Sequence, residues 1–264
     1  MCKEAGLLEY NETQNDISVV KRISNLFKID SPVLLNYINN MFDNKNKDDY
    51  LLKNMTYYTF YTDKPSKYGF KNIDEGLGAI INSEVLRMEV KWIIEYLSNK
   101  FEIIPEKNDL DFYNPLEVYC TYSRNQICAS FDIYNNESAG SVREGVKYIK
   151  EKNHDIFFVT LHKEDKDFSE STSYDDYAIN EKMFHWQTQN SVADGSEILN
   201  RYIKSSGRIS LFVRLYKNEN GKAAPYIYLG ECDYVSHNGN KPVNIIWKLK
   251  HKIPAKYIND IHQI

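Results

Sequence analysis

The chain has 264 residues, 42% of them hydrophobic and 14% aromatic, with a formal net charge of −4. It can bury one large core or two smaller ones and is too apolar to stay disordered. No run of about 18 apolar residues occurs and no basic-then-apolar leader opens the chain, so neither membrane insertion nor secretion is expected and the cytoplasm is the default compartment. Cys2, Cys120, Cys128 and Cys232 show no paired C-x-x-C spacing, which argues against a zinc site and a disulfide framework.

The first part reads as helical. Ile17, Val20, Ile23, Leu26 and Phe27 recur at helical spacing behind Asp16, an expected N-cap. Ser31 followed by Pro32 opens a second helix, with Leu34, Leu35, Ile38, Met41 and Phe42 as its apolar stripe. Residues 48–61 form a third, tyrosine-rich one. Ser83 caps a longer helix carrying Val85, Met88, Trp92, Ile93, Tyr96 and Leu97. These stripes are core or a docking face.

After Pro115 the pattern changes to short runs rich in Val, Ile, Phe and Tyr, at 117–122, 155–161, 208–216, 225–229 and 243–249, which read as strands. Residues 125–131 form an interrupting helix, and turns fall at 218–221 and 237–240. We therefore expect an α+β chain: a helical docking subdomain over 1–115, then a β-rich domain over 116–264. Many strands with few crossover helices favour a mainly antiparallel, closed or partly closed barrel.

Charge is uneven along the chain. Residues 201–264 hold eleven basic side chains, Arg201, Lys204, Arg208, Arg214, Lys217, Lys222, Lys241, Lys248, Lys250, Lys252 and Lys256, against four acidic ones. Such an excess is a candidate phosphate-facing surface, because each neutralised phosphate releases counterions; a solvated strand face gives the same count.

Residues 174–190 crowd aromatic rings and a histidine beside carboxylates and amides. As a strand, 183–190 places His185, Gln187 and Gln189 on one face and Phe184 and Trp186 on the other. A polar face backed by rings suits edge-on reading of a flat heterocycle, and an ordinary half-buried strand gives the same pattern. Catalytic chemistry is thin. Gly221-Lys222 is followed by Ala223, so no P-loop forms, and no histidine has the lysine two positions on that a phospholipase-D-type nuclease needs. Glu89-Val-Lys91 sits in a helical pattern and reads as a solvated charge pair. Asp175-Asp176 lacks further oxygen ligands at readable spacing, so neither a metal site, a cofactor nor a catalytic residue is expected.

Several words occur together: Tyr122-Ser-Arg124, Arg143-Glu-Gly145-Val, Phe158-Val-Thr160-Leu161, the run Phe168 to Ile179, and Phe184-His-Trp186-Gln-Thr-Gln189. They continue with Arg201-Tyr202-Ile, Leu211-Phe-Val-Arg214, Tyr228-Leu-Gly230, and Lys241-Pro242 followed by Trp247-Lys-Leu249. Over about 119–256 the chain resembles the helicase-associated domain of unknown function at the C-terminus of bacterial DEAD/DEAH-type helicases, many of which carry a nuclease. The closest implication is to modification-dependent type IV restriction enzymes of the SauUSI kind, which implies a non-catalytic, SRA/PUA-like target-recognition domain for DNA bearing methyl- or hydroxymethylcytosine. The chain has no helicase or nuclease module of its own, so it is expected to be an excised fragment or a stand-alone version.

On that reading Tyr122, Tyr174, Tyr177 and Trp186 wall a pocket for a flipped base, and Asp175 or Asp176 accepts from the cytosine amine. His185, Gln187 and Gln189 read the edge or fill the duplex gap, while Arg124, Ser171, Thr172, Arg201, Arg214 and Lys241 complete the DNA contacts. Gly145, Gly230 and Gly239 are backbone devices. The competing readings are a protein-docking module of a helicase and a metal-dependent nucleic-acid hydrolase.

Overall fold

The computed structural model describes residues 13–43, 45, 48–100, 104–140, 142, 145–162, 176–204 and 208–261. The chain divides into two units, one of residues 1–102 and 125–140, the other of 103–124 and 141–264.

The first unit is helical, and its caps follow from local side chains. Helix α1 (Gln14–Val20) starts one turn before the expected point. Thr13 is the cap, and Asp16, read from sequence as the cap, closes a capping box by accepting from the Thr13 backbone at 2.9 Å. Residues 23–28 tighten into a 3₁₀ helix instead of continuing α1. Helix α2 (Pro32–Met41) starts as expected, with Ser31 Oγ accepting from Leu34 N. Asp49 caps α3 (Tyr50–Phe60), Asn72 caps α4 (Ile73–Ile81), which the sequence reading passed over, and Ser83 caps α5 (Glu84–Ser98).

Helix α5 has two apolar stripes. Leu86, Val90, Ile93 and Ile94 are buried, whereas Met88, Trp92 and Tyr96 stand exposed with Phe27 edge-on to Tyr96. Tyrosines fill the core under α3: Tyr57 stacks on Tyr61 at 4.5 Å, and Gly76 sits so close that a Cβ there would lie 2.6 Å from the Tyr57 ring. Residues 125–140, which include most of α6 (Arg124–Ser130), lock onto these helices. Gln126 donates to Thr59 Oγ1 at 2.8 Å, and Tyr58 Oη donates to the Asn135 carbonyl at 2.7 Å.

The second unit is built on one mixed sheet. Its strands are β1 (Glu106–Lys107), β2 (Glu117–Val118), β3 (Thr121–Tyr122), β4 (Val146–Ile149), β5 (His154–Thr160), β6 (Tyr177–Asn180) and β7 (Met183–Gln187). Helix α7 (Glu197–Ile203) follows, then β8 (Ile209–Arg214), the hairpin of β9 (Asn218–Glu219) and β10 (Lys222–Ala223), β11 (Tyr226–Gly239), β12 (Val243–Leu249) and α8 (Ala255–Ile261). The main sheet runs β4-β5-β8-β11-β12-β7-β6, with β3 added against β11.

The pairing is mainly antiparallel as expected, with one parallel pair, whereas the expected barrel is corrected. Among the described residues the sheet is open, ending at β4 and β6, and β5 pairs β8 in parallel. The chain between those two strands passes through the β6–β7 hairpin and α7, ample length for β8 to return in the direction of β5. The sheet nevertheless curls. Strand β11 carries irregularities at Tyr228/Glu231 and Tyr234/Ser236, and along its 14 residues it changes partner from β8 to β12. Phe157 on β5 and Trp186 on β7, separated in the sheet by three strands, thereby meet at 4.2 Å between ring centroids, with Trp247 and Tyr202 edge-on to Phe157. These rings are the centre of the core.

Candidate functional site

Strand β7 alternates as its sequence demands: Phe184 and Trp186 are buried, while Met183, His185 and Gln187 are half-buried on the other face. The register extends that face across the sheet. Tyr177 on β6, His185, Ile246 on β12 and Ser236 on β11 form one cross-strand row, and Gln187, Asn244 and Asn238 form the next. Beyond the first row, Met183, Lys248 and Asp233 make a third.

Two pairs give this face its chemistry. The Tyr177 and His185 rings stack, 4.8 Å between centroids and 23° from parallel. Beside them Gln187 Nε2 donates to Asn244 Oδ1 at 3.1 Å, which ties the two amides together across β7 and β12. Asp176 Oδ1 accepts from Gln187 N at 2.9 Å and so holds the start of β6 against the end of β7. At the β11–β12 hairpin, Lys241 is exposed, and Asn240 Oδ1 accepts from Asp194 N at 3.0 Å. A stacked ring pair, a fixed amide pair and flanking lysines, Lys241 at one end and Lys248 at the other, can together hold a flat base edge and a phosphate.

The expected site is only partly assembled. Tyr177, His185 and Gln187 share the face; Asp176 lies beside it in a backbone-holding role, and Gln189 is exposed just past β7. Ser171, Thr172, Tyr174 and Asp175 lie outside the described residues. Two expected pocket walls are corrected. Trp186 points into the core against Phe157, because the alternation that exposes His185 must bury its neighbours. Tyr122 is wholly buried, and its hydroxyl accepts from Glu117 N at 2.8 Å.

Three arginines expected at DNA are engaged inside the unit. Arg124 donates to the Val142 carbonyl at 2.8 Å and to Tyr226 Oη at 2.6 Å, with its guanidinium over the Phe158 ring. Arg214 donates to Thr160 Oγ1 at 2.9 Å and covers the Tyr226 ring from β8. Arg201 grips both oxygens of Asp155 at 2.9 Å each and lies over Tyr148. Burial pushes the Asp155 carboxyl above its ordinary range, and the guanidinium pulls it back only in part. A planar five-donor fork suits such buried packing as well as it suits phosphate, which is why residue type alone did not separate the two roles.

Asn244 and Ile246 were missed as members of the face, and Lys248 was singled out only as one of the basic residues of 201–264. Their signal was present in the alternation of Val243-Asn-Ile-Ile-Trp-Lys-Leu249 once that run is a strand.

The second unit is thus an α+β domain with an open, curled mixed sheet, greasy on its inner side and carrying a ring-and-amide face on its outer side. The chain belongs to the family described as "Domain of unknown function (DUF3427)", which matches residues 116–261. No curated protein matches the chain. Among solved structures it is similar to a crystal structure of Arabidopsis thaliana SUVH6 in complex with SAM, at 10% identity and a TM-score of 0.36. The match covers 92% of this chain and 42% of that one. No helix among the described residues is long and apolar enough to cross a membrane.

Proposed function

We propose that the β-rich unit is a non-catalytic, cytoplasmic DNA target-recognition domain that reads methyl- or hydroxymethylcytosine for a helicase- and nuclease-containing type IV restriction system. The observation that carries the reading is the Tyr177–His185 stack set beside the Gln187–Asn244 amide pair on one half-buried face. Stacking a base on aromatic rings is worth about 1–3 kcal/mol, of the same order as the cost of flipping it from the duplex. One buried methyl adds only about 0.8 kcal/mol, so shape and the amide contacts must supply the remaining selectivity. Lys241 and Lys248 hold the backbone, and the base is read by Gln187, Gln189 and His185 in place of the buried Trp186.

The test is titration of the full chain against duplexes that differ only in cytosine modification, at several salt concentrations. Tyr177→Ala is expected to remove the preference for modified DNA while leaving the salt slope unchanged. Equal wild-type affinity for all duplexes refutes the reader assignment. A second reading, a docking module for a helicase, is favoured by the exposed Met88, Trp92, Tyr96 and Phe27 of the first unit. It predicts partner binding that Trp92→Gln abolishes, with no DNA affinity.

A further inference from the structure

Glu231 is a carboxylate with no exposure at all, on a strand that bends to put it there. The irregularity between Tyr228 and Glu231 turns β11, and Gly230 takes φ +81°. The Gly230 backbone lies so near the His251 ring that a Cβ would come 2.7 Å from Cδ2. The two Glu231 oxygens accept from neutral groups: the Tyr228 hydroxyl, and Asp109 N at 2.8 Å. No lysine or arginine among the described residues forms an ion pair with it. Behind it a buried polar chain continues through Tyr228 to Ser210 and His154, the last two 2.9 Å apart. Polar groups are kept in such a place when something satisfies them.

His251 faces the same spot. Its Nδ1 lies 2.5 Å from Glu106 Oε2, a contact in which the ring nitrogen is the donor, so the tautomer that keeps this bond has Nε2 to offer to a cation. That Nε2 is shielded from solvent and takes no hydrogen bond, although Asp109 Oδ2 is only 3.0 Å away, off the axis of a ring N–H. The ligand atoms of Asp109, Glu231 and His251 all lie within 4.8 Å of one another. A carboxylate behind the outer imidazole nitrogen and two carboxylates before the inner one is the arrangement by which proteins orient a histidine on a metal.

We infer that Asp109, Glu231 and His251 bind one divalent transition cation of the zinc class, with Glu106 orienting the imidazole. The mixed nitrogen and oxygen donors favour zinc over magnesium or calcium, and three protein ligands leave a position for water. Asp109 is half-exposed on the loop after β1, so it can close the remaining distance. The inference is independent of DNA reading, since none of its residues is on the ring-and-amide face.

Chelator-stripped full chain is titrated with zinc chloride by calorimetry and followed by thermal denaturation. One equivalent is expected to bind and to raise the melting temperature. His251→Ala and Asp109→Asn, both away from the fully buried positions, are expected to weaken binding beyond tenfold. Glu106→Gln is expected to weaken it by about 10- to 100-fold, as loss of an orienting partner does. His237→Ala, whose ring lies 3.4 Å from Asp194, serves as the control and is expected to bind as wild type. Absence of zinc binding by wild type, or undiminished binding by His251→Ala, overturns the assignment.

Discussion

Replacing Arg201 by alanine separates a structural arginine from a phosphate-binding one. Its guanidinium makes two bonds of 2.9 Å to Asp155, a residue only 1% exposed, and covers Tyr148 at 4.1 Å. Removing one partner of a buried pair strands the other charge, at a cost of roughly 3–5 kcal/mol. The lost ring contact adds about 0.5–1 kcal/mol. Burial already pushes Asp155 upward, so the stranded carboxyl can relieve part of the penalty by taking up a proton, which favours the lower end, near 3 kcal/mol. Arg201→Lys should recover little, because an ammonium cannot span both oxygens. Urea denaturation read by the fluorescence of Trp186 and Trp247, both in the same core, gives the stability. Binding to unmodified duplex over a salt series gives the phosphate count from the same preparations. A structural role for Arg201 is refuted if Arg201→Ala is within about 1 kcal/mol of wild type and the salt slope falls by about 0.9, the signature of one lost phosphate contact.

The buried His154 gives a pH test. Burial lowers its pKa from 6.5 to about 4. The unfolded chain therefore takes up this proton first, and stability drops as pH falls from 6.5 towards 4, by about 3 kcal/mol from this group at 1.36 kcal/mol per unit. His154→Gln should flatten that portion of the stability–pH curve, and an unchanged slope would show that the group is not responsible. Gly76→Ala pushes a methyl to 2.6 Å from the Tyr57 ring and should cost about 1–3 kcal/mol in thermal unfolding. Trp92→Gln, at a side chain 68% exposed, should leave the melting temperature within about 0.5 kcal/mol equivalent of wild type, and a larger loss would mean that α5 is covered within the chain.

Local chemistry made much of this fold legible. Ser31-Pro32 and Ser83 announce α2 and α5 because a hydroxyl accepting from a first-turn amide is a local event. The strands at 154–160, 209–214 and 243–249 follow their Val, Ile and Phe content. What failed depends on distant partners. The expected strand at 117–122 breaks in two at Tyr119, which takes φ +73°, and nothing in its composition signals that. The parallel β5–β8 pair is set by how the intervening chain returns. Strand β11 continues to Gly239 past Gly230, where the sequence reads a stop, because the bulge absorbs the glycine. The site behaves likewise: the polar side of β7 could be read from alternation, whereas Asn244 joins it only through the β7–β12 register, and Asp109, Glu231 and His251 converge from three separate stretches.

The burial of Trp186 changes which variants can test base recognition. An enclosed pocket walled by Trp186 and Tyr122 would require a base to enter a core in which Trp186 already lies 4.2 Å from Phe157 and edge-on to Tyr202. Truncating such a tryptophan costs about 3–5 kcal/mol, so Trp186→Ala would lose DNA binding through unfolding, whatever the site. Tyr177 and His185 are only half-buried and stack on each other, so Tyr177→Ala and His185→Ala should each cost about 1 kcal/mol in stability. If reading occurs on this face, both variants stay folded by circular dichroism and urea titration while affinity for modified and unmodified duplex becomes equal. If both keep full selectivity while folded, the outer face of β6 and β7 is not where the modified base is met.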